Sequence, residues 1–115
     1  MFKQFLINRY FHKLCKEKFF KNDEDAVIGS AKDVIQFLNE NIEYAKNDRQ
    51  QIGEEWSDYI ISESNNLIKE INKKYKNQRN IVGLFNHPMS GYFVLQEKQS
   101  LFEDLKEYYD ELEED

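Results

Sequence analysis

Two histidines, one cysteine and twenty-two carboxylates are the side chains of this chain with the types needed for chemistry. His12 and Cys15 stand three apart, a spacing that puts two side chains on one face of a helix. A structural zinc centre takes four ligands as a rule. The chain has no second cysteine, and its other histidine is His87. The pair therefore reads as part of a helix face, and no metal or cofactor is expected. His87 and Ser90 share the run Asn86-His87-Pro88-Met89-Ser90-Gly91, and a base beside a hydroxyl is the start of nucleophilic catalysis. No G-x-S-x-G elbow surrounds Ser90. Proline and glycine in that run favour a turn instead.

Asp23, Glu24 and Asp25 suggest calcium. An EF-hand loop starting at Asp23 needs an oxygen ligand at its fifth position, glycine at its sixth and glutamate at its twelfth. Those positions hold Val27, Ile28 and Val34. The acids suit a helix start better. No glycine pattern for cradling phosphate is present either. The chain reads as a binding protein and not an enzyme.

Charge is the stronger signal. Residues 101–115 carry eight acids against one base, Lys106, with Leu101, Leu105, Tyr108 and Leu112 at helical spacing among them. The first twenty-one residues carry six bases against one acid, interleaved with six aromatic residues. Net charge is -6, which disfavours nonspecific nucleic-acid binding by the whole chain and favours basic partners. Glu111, Glu113, Glu114 and Asp115 fall at the negative end of their own helix, where each acid costs about 0.3–1 kcal/mol. A basic partner offsets that cost.

These residues need elements to hold them. At 115 residues the chain has the size of one domain, spanning 1–115. Nine Phe, seven Tyr and one Trp supply a core, while four Gly and one Pro are too few for a turn-rich β-sandwich. The expected fold is mainly α, of the α+β class, with about four helices and one β-hairpin near residues 81–95. Residues 2–20 form the first helix, whose wide apolar arc permits a dimer. Residues 24–48 form the second, capped by Asp23, with Val27, Ala31, Val34, Ile35, Leu38, Ile42 and Ala45 inward. Gly53 breaks the pattern. Residues 54–76 form the third, with Trp56, Ile60, Leu67, Ile68, Ile71 and Tyr75 along one side. Ile81–Phe85 and Tyr92–Leu95 are the strands of the hairpin. Ser100 and Glu103 form a capping box that starts the last helix. No apolar run matches a secretory signal or the ~20 residues of a membrane span, so a cytoplasmic chain without a membrane partner is expected.

The function that follows is a small acidic inhibitor of immunity or antitoxin type. It neutralises a basic protein partner, such as a toxin acting on nucleic acid, by covering its positive active site. The expected binding residues are Asp104, Glu107, Tyr108, Asp110, Glu111 and Glu114, with Glu54, Glu55 and Asp58 as a second patch. A DNA mimic that blocks a defence protein is a related reading. The alternative is a nucleic-acid-binding or regulatory protein acting through Lys3, Arg9, Lys13, Lys16, Lys18 and Lys21. A hydrolase built on His87 ranks last.

Overall fold

The computed structural model describes residues 21–22, 26–87, 89, 91–103 and 106–107. Strand β1 is Lys21–Asn22 and β2 is Ala26–Ser30. Helices α1 (Ala31–Asn47), α2 (Arg49–Ile52) and α3 (Glu54–Lys74) follow. Strands β3 (Ile81–His87) and β4 (Tyr92–Leu95) return the chain, which is helical again over 98–103 and at 106–107. The fold is α+β.

The four strands form one antiparallel sheet in the order β1-β2-β3-β4. β2 pairs β3 from Ala26 opposite Phe85 to Ser30 opposite Ile81. β3 pairs β4 from Leu84 opposite Leu95 to His87 opposite Tyr92. The hairpin near 81–95 is therefore present, as the outer half of a larger sheet.

The helix expected over 24–48 is corrected. Its first third is β2, and helix begins at Ala31. The reason is burial on both faces. Val27 joins the main core under the helices, while Ala26 and Ile28 pack on the other side with Leu101 and Ile81. Such a strand is a continuous apolar run and lacks the alternation that marks a half-buried one. The cap is also corrected from Asp23 to Ser30. The Ser30 hydroxyl accepts from the Asp33 amide at 3.2 Å, with Ser30 itself extended. The next orphan amides of α1 find partners in the loop before β3. Ala31 N–H donates to the Asn80 carbonyl at 2.7 Å and Lys32 N–H to that of Gln78 at 3.1 Å.

From Ala31 on, the expected stripe is observed: Ala31, Val34, Leu38, Ile42 and Ala45 are buried at helical spacing. α3 answers with Ser57, Ser64, Leu67 and Ile71. The two helices pack on one another, and their small residues allow close approach. The main core joins them to the sheet through Val27, Val82 and Leu84.

The last helix is corrected at its start. Residues 98–103 are helical, and the Leu101 amide donates to the Glu97 carbonyl at 2.9 Å. Ser100 thus lies inside the helix and is not its cap. Glu103 accepts from the Gln99 side-chain amide at 3.3 Å. Leu101, 4% exposed, covers the second face of the sheet. The helix expected over 2–20 lies outside the described residues. No helix among the described residues is long and apolar enough to cross a membrane.

Candidate functional site

The site begins with a backbone break. Gly53 adopts φ 99° and ψ 142° between α2 and α3, a region that side chains other than hydrogen rarely enter. The chain turns there, and α3 opens with Glu54 and Glu55, whose charges suit the positive end of the helix. Arg49 on α2 reaches across the turn. Its Nη1 lies 2.8 Å from Asp58 Oδ1, and its Nε lies 3.9 Å from Glu54 Oε1. That hydrogen bond raises the Arg49 pKa above its ordinary value and lowers that of Asp58. Two carboxylates thus meet one guanidinium, and Glu55 adds a third exposed acid, which leaves an excess of negative charge.

Beside these acids stands an aromatic stack. Trp56 is 45% exposed, an unusual state for a large apolar ring. Its indole lies on the Tyr59 ring, with centroids 5.2 Å apart and planes 15° from parallel. Tyr59 meets Tyr92 edge-on at 6.4 Å. Tyr92 is anchored in turn: its hydroxyl accepts from the Asn41 side-chain amide at 3.1 Å and bonds Ser64 Oγ at 3.0 Å. Gly91 of the hairpin turn comes so near that a Cβ there would lie 3.8 Å from the Trp56 ring. The stack is therefore fixed to the core at its inner end and open at its outer end. Ile52, Gly53, Glu54, Glu55, Trp56 and Tyr59 line a shallow groove of about 560 Å³.

Of the residues expected at a binding surface, Glu54, Glu55 and Asp58 come together here, all exposed. Glu107 is exposed on the C-terminal helical segment. Asp104, Tyr108, Asp110, Glu111 and Glu114 lie outside the described residues. So do His12, Cys15, Ser90 and the basic residues from Lys3 to Lys18, while Lys21 falls in β1.

His87 closes β3, where its Nδ1 accepts from the Met89 amide at 3.2 Å. That nitrogen serves the turn. Met89 itself is 90% exposed at the hairpin tip. Among the described residues, no three His, Cys, Asp or Glu side chains lie together as a metal site would require.

The role of Trp56 and Tyr59 is the part that sequence reasoning missed. Trp56 reads as the apolar side of α3 because it is the largest hydrophobe near the helix start. The buried line instead runs through Ser57 and Ser64. One residue is 100° on a helix, so choosing Ser57 turns Trp56 toward solvent. The available signal was the company Trp56 keeps: Glu54, Glu55 and Asp58 surround it, and Tyr59 follows at i+3.

The arrangement suits recognition more than proton transfer. Its carboxylates are exposed, whereas acid–base work relies on burial or close pairing of carboxylates. Flat rings beside carboxylates fit cationic groups. In comparison with family models, curated proteins and solved structures, no match to this chain was found.

Proposed function

We propose that the chain is a small acidic binding protein that captures a basic protein partner, in the manner of an immunity protein or antitoxin. The observation that carries this reading is the exposed Trp56–Tyr59 stack set among Glu54, Glu55 and Asp58. Tryptophan and tyrosine are the residues over-represented where interface energy concentrates. Surrounding acids speed the approach of a positive surface and reject a negative one. An active site that handles nucleic acid is such a positive surface, so a toxin of that kind fits the groove and the acidic residues beyond Leu101.

Affinity capture from the source cells tests the reading. The wild-type chain is compared with a Glu54→Gln, Glu55→Gln, Trp56→Ala variant whose fold is checked by circular dichroism. A basic protein recovered by the wild type and lost with the variant is the expected result. Recovery of the same proteins by both chains removes this surface from the proposal.

A further inference from the structure

The groove joins an aromatic surface to exposed acids. Tyr59 covers one face of the Trp56 indole, with planes 15° from parallel, and Trp56 remains 45% exposed. The face turned away from Tyr59 is therefore the one not covered by that stack. A Cβ added at Gly91 would lie 3.8 Å from Cη2 and 4.0 Å from Cζ3 of the six-membered ring. Glu55 is exposed and forms no ion pair among the described residues. Glu54 is held by Arg49 only at 3.9 Å, while the close bond of Arg49 goes to Asp58. Two carboxylates thus remain available beside a half-exposed indole. The positive end of α3 amounts to about half a charge, which two carboxylates outweigh.

Resting on the capture reading above, we propose that the groove seats an arginine side chain of the partner. Its guanidinium stacks on the outer face of Trp56 and donates N–H groups to Glu55. Arginine is chosen over lysine for a physical reason. A guanidinium is flat and weakly hydrated, so it lies on an indole while its edge still donates to a carboxylate in the ring plane. An ammonium is compact and strongly hydrated, and it makes either contact at the expense of the other.

Trp56 is the single tryptophan of the chain, so its emission reports on this groove alone. The full chain is titrated with hexa-arginine and with hexa-lysine, each followed by Trp56 fluorescence and by calorimetry. The expected result is a change in emission with hexa-arginine, and binding roughly two- to five-fold tighter than hexa-lysine. Glu55→Gln, an exposed change that spares the fold, weakens hexa-arginine by a similar factor. Equal binding of both peptides overturns the choice of arginine. Calorimetric binding of hexa-arginine that leaves Trp56 emission unchanged and ignores Glu55→Gln overturns the groove as the seat, while acidic capture elsewhere on the chain stands. Absence of binding by either peptide overturns the arginine seat, while the capture reading stands or falls with the affinity capture described above.

Discussion

Tyr92 and Ser64 meet hydroxyl to hydroxyl at 3.0 Å, joining the edge strand β4 to the buried side of α3. Ser64 is fully buried, and Tyr92 also takes a bond from Asn41 on α1. One phenol thus ties the sheet to both long helices and supports the inner end of the aromatic stack.

Removing that phenol leaves Ser64 Oγ buried without this partner. Tyr92→Phe is expected to cost about 1–3 kcal/mol in chemical denaturation, the cost of an unsatisfied buried polar group. Ser64→Ala removes donor and acceptor from the site together and leaves Tyr92 its bond from Asn41, so it costs less. Equal losses for the two variants contradict this account.

Gly83 is a question of space. A Cβ there would lie 2.8 Å from Gln96 Oε1 and 2.9 Å from Leu101 Cδ1. Both neighbours are buried, which limits how far they can yield. Gly83→Ala is expected to destabilise by about 1–3 kcal/mol through overpacking. Leu101→Ala in the same chain opens room, so the double variant loses less than the sum of the single losses. Additive losses count against contact at this point.

Gly53 is a question of backbone. Nothing lies within 4 Å of a Cβ placed there, yet φ is 99°. Gly53→Ala is expected to cost about 1–3 kcal/mol despite the open space, because the conformation is one that alanine resists. The same variant changes Trp56 emission, since the turn sets the start of α3. A neutral effect on stability contradicts the positive φ.

Asp58 carries a pH dependence. The Arg49 hydrogen bond holds its carboxyl below the ordinary value of 3.8. Its contribution to stability is complete above that unfolded value and is lost as pH falls through the lower folded one. Carboxyl NMR titration is expected to show a midpoint below 3.8 that returns toward 3.8 in Arg49→Gln. High salt moves the wild type the same way, because the pair is exposed and screened. Identical midpoints in the two chains exclude the ion pair.

Regular amphipathic segments are legible in the order of residues alone. Ala31, Val34, Leu38, Ile42 and Ala45 declare a helix by spacing alone. The hairpin from Ile81 to Leu95 is marked by apolar runs around a glycine-bearing turn. Gly53 marks its own break. The grouping of Glu54, Glu55 and Asp58 follows from helix geometry once α3 is recognised. The acidic residues from Asp104 on, apart from Glu107, lie outside the described residues, so the placement of Glu107 alone bears on that surface.

Ala26–Ser30 and Trp56 were not legible, and for one reason. Each depends on what lies on the far side of the element. Ala26-Val27-Ile28 fits a helix or a doubly buried strand equally well until Leu101 is known to cover the second face and β3 to pair its edge. Trp56 fits a core position until Ser57 is seen to take it against the neighbouring helix. Local pattern thus determined the helix stripes, the turns and the distribution of charge, because these are set by residues a few positions apart. The strand order, the start of α1 after Ser30 and the open Trp56 groove were decided only by tertiary contacts, because they arise where separate elements, such as β2 and β3 more than fifty residues apart, compete for the same buried surface.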